Sequence, residues 1–179
     1  MPKIVDACCT INLYAAGNLT TLLPAIGAEW YVAEKVVTEM LYVRRPDPDD
    51  ESKLVKEPIN LRPALDAGVL RSCTVSEDEL DLFVELAALM DDGEAMCLAV
   101  AQSRGWTLAT DDRKARRIAG ERGVPVLTTA EIVKNWADAT AAGDAAIAAI
   151  VQNIQRFARF VPHRTMPLHE WWVQLASGG

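Results

Sequence analysis

The sequence predicts an α/β fold: a three-layer α/β/α sandwich built on a mainly parallel sheet, with a helical extension at the carboxyl terminus. Three observations predict it. Short apolar runs alternate with amphipathic stretches, the pattern of strands joined by helices. The segment 93–105, "GEAMCLAVAQSRG", is apolar on almost every side, as a helix buried between layers must be. No internal repeat is present. The sandwich is assigned to residues 1–137, and the helical extension and tail to 138–179.

The elements follow in order. "KIVDA" is a β-branched run that ends in Asp6. "TINLYAAGNLTTLLPAIG" has apolar positions at helical spacing, broken by Gly17, Pro24 and Gly27. "EWYVAEKVVTEMLYVRRP" reads as a brief strand around Trp30 to Val32, then a helix stopped by Pro46. "RRPDPDDESKLVKEP" is the most polar stretch and carries three prolines, an exposed excursion rather than a domain boundary. A strand falls near Val69 to Val75, and a helix opens at Ser76 with Glu79 completing a capping box. The buried helix 93–105 follows. "WTLAT", "DRKARRIAGERG" and "VPVL" then alternate strand, helix, strand. "TAEIVKNWADA" and "GDAAIAAIVQNIQRFARFV" supply further helices, and "PHRTMPLHEWWVQLASGG" ends in a short amphipathic piece.

With 179 residues, half of them apolar and 24% charged, the chain suits one well-buried domain with an appendage. Its net charge of −7 argues against attachment to nucleic acid by bulk positive charge. It leaves room for an enzyme whose acids gather at a metal site and whose cations are local. Met1-Pro2-Lys3 runs straight into Ile4, so no basic-then-apolar leader is read, and the alanine-rich stretch 139–149 is interrupted by Asp144 and too short to span a bilayer. The expected location is cytoplasmic, without a membrane partner. Cys8, Cys9, Cys73 and Cys97 form no C-x-x-C pair and lie far in sequence from His163 and His169. They are expected as reduced, buried thiols and not as a zinc site.

In a parallel sheet the site lies beyond the carboxyl ends of the strands, which names where functional acids should fall. Asp6 ends the first strand, Glu39 lies in the helix after the second, Glu94 opens the buried helix, and Asp111 and Asp112 follow "WTLAT". Two unit charges about 4 Å apart repel by roughly 4 kcal/mol at an effective dielectric near 20. A hard divalent cation, Mg²⁺ or Mn²⁺, offsets such crowding with oxygen ligands alone. Each acid also has a structural reading. Asp92 and Asp112 suit helix N-caps, Asp6 suits a cap for a helix beginning near Thr10, and Glu94 is favoured by the helix dipole. Glu94 fits that reading least, because burying an unpaired carboxylate costs several kcal/mol.

These residues resemble the PIN domain family, which includes the VapC-like toxin ribonucleases. "IVDACCTINLYAAGNL" is similar to its first motif, a strand-end Asp before an apolar helix, and "VVTEMLY" resembles the second, with Glu39 in place. "DDGEAMCLAVA" resembles the third, with Glu94 opening a buried helix. "LATDDRKARRIA" resembles the fourth, whose Asp two residues after the Thr selects Asp112, with Asp111 as its neighbour. The likeness spans roughly residues 3 to 135. It departs from the family pattern after Asp6, where Ala7, Cys8 and Cys9 stand before Thr10 although the family often has a hydroxyl or amide residue that supports the metal waters. The resemblance implies that Asp6, Glu39, Glu94 and Asp112 hold one or two Mg²⁺ or Mn²⁺ ions, with Asp111 as a further ligand and Thr10 and Thr110 in support. It implies hydrolysis of RNA phosphodiester bonds to a 5′-phosphate and a 3′-hydroxyl, a homodimer, and the role of the toxin in a toxin–antitoxin pair, with an antitoxin protein as partner.

Arg113, Lys114, Arg116 and Arg117 follow the paired acids and would guide the phosphate backbone to the metal, with Arg113, Arg116 and Arg117 broadly on one side of a helix and Ala115 and Ile118 facing the sheet. A solvated face paired with nearby acids is the alternative. Arg156, Arg159, His163 and Arg164 form a second basic cluster, which suits nucleic acid or a protein partner. Trp171 and Trp172 are expected in packing, or else in an exposed docking patch. Two other functions share the acid pattern. A receiver-type magnesium-binding regulatory domain wants adjacent acids after the first strand, and a phosphatase of the D-x-D type fails at Cys8. A PIN-like module that binds nucleic acid or protein without cleavage stays open, because the hydroxyl after Asp6 is missing.

Overall fold

The computed structural model describes residues 1–17, 19–39 and 41–178. From the amino terminus, β1 (Lys3–Val5) leads to α1 (Ala7–Ala15) and α2 (Leu19–Ala25), then β2 (Trp30–Ala33) and the short α3 (Glu34–Thr38). An antiparallel pair, β3 (Tyr42–Asp47) and β4 (Asp50–Pro58), precedes α4 (Arg62–Asp66) and β5 (Arg71–Cys73). One 3₁₀ turn, Glu77–Glu79, opens α5 (Leu80–Ala87), which is followed by α6 (Asp92–Arg104) and β6 (Thr107–Ala109). The remainder is α7 (Arg113–Glu121), β7 (Val126–Leu127), α8 (Thr129–Thr140), α9 (Asp144–Phe157) and α10 (His169–Ala176).

The fold is α/β, as the sequence predicts. Five strands form one parallel sheet in the order β5-β2-β1-β6-β7, flanked by helices in a three-layer arrangement. β1 is central because its residues pair on both sides: Val5 lies beside Val32 of β2 and Ala109 of β6. The chain moves outward from β1 in one direction through β2 and β5, and in the other through β6 and β7. The order therefore reverses between β1 and β6, and a crevice opens beyond their carboxyl ends.

The interior follows from the apolar positions. Leu13, Leu22, Leu23, Val32, Leu98, Leu108, Ile132, Val133 and Ile154 are fully buried. α6 lies against β1, β2 and β6. Its residues 97–101, Cys-Leu-Ala-Val-Ala, are all buried, which explains a sequence apolar on nearly every side. Gly105 ends α6 in the left-handed conformation (φ 66°), where a β-carbon would be strained. α9 buries Ile147, Ile150, Val151 and Ile154 in the same core as the sheet. The division read at residues 137/138 falls inside α8. Trp172 is fully buried and packs edge-on against Phe160, with ring centroids 5.5 Å apart, so it serves packing and not an exposed patch.

Two expectations are corrected. The helix read as running to Pro46 stops at Thr38, with Glu39 already extended (φ −67°, ψ 142°). Tyr42 and Val43 belong instead to a hairpin, where they pair with Pro58 and Glu57. The polar, proline-containing excursion is thus an ordered ribbon. Val43 is its buried residue, and Arg45 ties it down. The Arg45 guanidinium donates to the Tyr14 and Ala15 carbonyls at the end of α1, both at 3.3 Å, and stacks 4.7 Å from the Phe157 ring centre. The cap of α6 is Asp91, one residue before the expected Asp92.

Among the described residues, no helix is long and apolar enough to cross a membrane.

Candidate functional site

Asp6 is placed by the first strand. Its N–H donates to the Ala109 carbonyl at 3.1 Å, which extends the β1–β6 pairing by one residue at the carboxyl end of both strands. It caps α1, accepting from Cys9 N–H at 2.8 Å, so that helix begins at Ala7 rather than near Thr10. The side chain is 1% exposed. Burial, chiefly, pushes the carboxyl up to about 6. Hydrogen bonds from Thr110, Cys9 and Cys8 act against that rise, and the Asp111 charge adds to it.

β6 carries the next acids. Asp112 caps α7 by accepting from Ala115 N–H at 2.7 Å, and its own N–H donates to Thr110 Oγ1 at 3.1 Å. Thr110 is fully buried between Asp112 and Asp6 and supports both. Glu94 lies in the first turn of α6, half-buried. Its carboxyl rises to about 7, first by desolvation and then by repulsion from Asp112, Asp6 and Asp91, against a hydrogen bond from the Asp91 backbone. Asp6, Glu94 and Asp112 therefore share one field although they come from three distant parts of the chain. Glu94, Asp111, Asp112 and Cys8 line the same shallow cleft, with Arg159 and Phe160 of the tail at its edge.

Glu39 approaches from another side. Its Oε1 lies 3.1 Å from where a β-carbon on Gly93 would sit. Its carboxylate thus lies over the first turn of the helix that carries Glu94, close enough that a β-carbon there would press on Oε1. Neither Glu39 nor the buried Asp6 lines the cleft bordered by Glu94, Asp111 and Asp112.

Asp111 and Thr10 are used differently from the expectation. The Asp111 carboxylate accepts from Asn12 Nδ2 at 2.9 Å, from Thr129 N–H at 3.0 Å, from Thr129 Oγ1 and from the Cys9 thiol at 3.2 Å. Both oxygens are thereby engaged, and Asp111 ties β6 to α1 and α8 instead of offering a free ligand. Thr10 donates its hydroxyl to the Asp6 carbonyl at 2.6 Å, inside the first turn of α1, and not to the cleft. Asn12 was missed by the sequence reading. Its only signal there is an amide in an otherwise apolar helix face, and it is 5% exposed.

The cysteines also differ from a purely apolar role. Cys8 Sγ lies 3.1 Å from each carboxylate oxygen of Asp6, and Cys9 Sγ contacts Asp111 and Thr129. Cys8 occupies the place after the first acid where a hydroxyl was expected. Among the described residues, Asp6, Cys8 and Cys9 are the group whose potential ligand atoms all lie within 4.8 Å of one another. Cys97 keeps the bland role, fully buried on α6.

The four cations of α7 divide between two flanks. Ala115 and Ile118 face the interior as expected. Arg113 and Arg116 border a pocket beside the tail, whereas Lys114 and Arg117 border a depression on the α5 side. Arg117 pairs with Glu121 at 2.7 Å, one helical turn on, an exposed contact of little energetic weight. Arg116 lies half-buried, 2.7 Å from Met166 Sδ. Arg113 is exposed and, among the described residues, makes no hydrogen bond or ion pair. Arg113, Arg116 and Arg117 keep broadly to one side of α7, as one helix requires, but the neighbouring elements divide that side between two depressions.

The donor set combines carboxylates with the Cys8 and Cys9 thiols; Asp6 is lifted chiefly by burial, and Glu94 by burial and the charges of Asp112 and Asp6, which is a condition a cation relieves. A family model, DUF3368, described as a PIN domain, covers residues 2–166 and so includes α9 and the start of the tail. No curated protein matches the chain.

Proposed function

The chain belongs to the PIN domain family, and from that premise we propose that it is a Mg²⁺- or Mn²⁺-dependent endoribonuclease, acting as the toxin of a toxin–antitoxin pair. PIN domains are generally nucleases. The observation that carries the reading is the convergence of Asp6, Glu94 and Asp112 at the β1–β6 reversal, where the charges of Asp112 and Asp6 raise the cost of ionising Glu94. Asp6, Glu39, Glu94 and Asp112 are the proposed ligands. When bound, the ion would supply a water of lowered pKa and neutralise charge growing on the phosphate.

The chain's own groups have separable tasks. The Cys9 N–H and Thr110 fix the orientation of Asp6, and the first turn of α7 fixes Asp112. Asp111 holds the loop after β6 in place through Asn12 and Thr129. Arg113 and Arg116 supply positive charge on the flank that Asp111 also lines, and Lys114 and Arg117 extend it along the α5 side, to attract an RNA backbone. A homodimer and an antitoxin partner are part of the same proposal.

Calorimetric titration of Mn²⁺ into the wild type and Asp6→Asn tests it. Binding that is lost in the folded variant supports the acid site. Equal binding by both proteins, or none by either, removes the metal-dependent reading. A second reading, a PIN module that binds without cleaving, is favoured by one observation. Cys8 stands against Asp6 where a hydroxyl would support metal-bound water.

A further inference from the structure

A pocket of about 320 Å³ lies beside the acid cleft, walled by the amino-terminal ends of α7 and α8 and by the tail from Phe160 to Leu168. Asp111 and Phe160 line both the cleft and this pocket, so the two are contiguous. The volume is at the small end for ligand sites, matched to one flat ring system and not to a longer segment.

Its walls sort by chemistry. Phe160, Val161, Pro162 and Pro167 offer an aromatic face and aliphatic sides. The two acids on the wall are already committed. Asp111 is held by Asn12 and Thr129, and Glu131 accepts from Thr128 N–H at 2.8 Å and Thr128 Oγ1 at 2.7 Å. Two guanidinium groups on the wall have no carboxylate partner among the described residues: Arg116, which is turned onto Met166, and Arg113, which makes no hydrogen bond or ion pair and is the freer to meet an anion.

The pocket is also preformed. Arg159, at the end of α9, takes φ +59°, a left-handed conformation that is costly for a side chain of its size. That turn carries the chain across the edge of the acid cleft and into the pocket wall. Phe160 is braced edge-on by buried Trp172, the Met166 N–H donates to the His163 carbonyl at 2.8 Å, and His169 Nδ1 meets the Pro162 carbonyl at 2.7 Å. Arg116 reaches across to Met166.

We propose that this pocket is a base-binding subsite. It holds one unstacked nucleobase of a single-stranded RNA against Phe160, with Arg113 on the adjoining phosphate, while the neighbouring phosphodiester lies at the acid cleft. Single strands are the fitting class because only an unpaired base turns its ring face to an aromatic side chain. The inference rests on the reading of the cleft as a phosphodiester site, and it assigns the tail a direct part in RNA selection.

The test is an amide ¹H–¹⁵N NMR titration in EDTA with the four nucleoside 5′-monophosphates, using ribose 5-phosphate as the base-free control. At least one nucleotide is expected to shift the amides of residues 128–131 and 160–166 saturably, at least about tenfold more tightly than ribose 5-phosphate. Phe160→Ala should weaken that nucleotide roughly tenfold or more, as loss of a stacking partner does. Phe160→Tyr, which keeps the ring and its brace on Trp172, should retain the affinity. Equal shifts by nucleotides and ribose 5-phosphate, no shifts in the pocket at 10 mM nucleotide (about the weakest single-base affinity of use), or equal loss in both variants would overturn the proposal. Nucleotides that fill the pocket of a protein unable to bind Mn²⁺ leave the subsite standing and remove the nuclease reading. Mn²⁺ binding with an indifferent pocket does the reverse.

Discussion

Asp6→Asn should stabilise the metal-free protein at neutral pH, and the structure sets the size of the effect. The carboxyl has an ordinary value of 3.8 and is lifted by burial to about 6 in the folded chain. A lift of about two units, at 1.36 kcal/mol each, corresponds to about 3 kcal/mol. The folded state holds this proton more tightly than the unfolded state, so the favourable contribution is complete below pH 3.8 and is lost as the pH rises through about 6. Glu94, lifted from 4.5 to about 7, acts in the same direction. It is only half-buried, so solvent reduces its share. Asparagine keeps an oxygen to accept the Cys9 N–H and carries no charge. In EDTA the variant should match the wild type near pH 4 and exceed it by up to about 3 kcal/mol at pH 8. At about 2–4 °C per kcal/mol for a chain of this size, Tm should rise by about 6–12 °C. Mn²⁺ should close most of that gap. At 100 times its Kd it adds about 2.7 kcal/mol to a protein that binds it, and little to the variant. Thermal unfolding at pH 4, 6 and 8, with EDTA and with Mn²⁺, reads all of this. A Tm difference that does not vary with pH, or a variant less stable than wild type at pH 8, would refute the account of Asp6 as an ionised carboxylate held against its burial.

Arg104→Met should destabilise the fold by about 3 kcal/mol or more. Arg104 bonds the 4%-exposed Glu79 with two nitrogens, at 2.7 and 2.8 Å, and the Thr74 carbonyl at 2.8 Å, so removal leaves a buried acid unpaired. Arg104 holds the Glu79 carboxyl below its usual range, so the wild type should lose this contribution on acidification; urea unfolding at pH 7 and pH 4 checks both points. Gly93→Ala should leave unfolding within about 1 kcal/mol of wild type, since alanine is the better helix former. The new methyl crowds Glu39 Oε1 at 3.1 Å, so Mn²⁺ affinity measured by calorimetry should fall; unchanged affinity would count against Glu39 as a ligand.

The sequence by itself determined the layers and most of the acid positions. Apolar runs between helices, a helix at 93–105 without a polar face, and acids one to three residues past strand ends are local patterns, and they hold in the structure because burial acts on local periodicity. Asp6 and Asp112 could be named in this way, since each is fixed by a strand end and a cap within a few residues of itself. The hairpin at residues 42–58 could not. Its strands stabilise each other across a turn, and the β-branched run before it reads equally well as a continuing helix.

Only the tertiary structure decided how the acids divide. Asp111 and Asp112 are adjacent and chemically identical in sequence. What separates them is that Asn12 and Thr129, from two other elements, converge on Asp111 alone. The same holds for Cys8, a small thiol in sequence that the first turn of α1 sets against both Asp6 oxygens. Arg159 and Phe160 lie at the edge of the acid cleft because a left-handed turn after α9 folds the tail back over the β1–β6 reversal. Contacts between residues so far apart in the chain are set by the packing of whole elements, which periodicity along one segment does not encode.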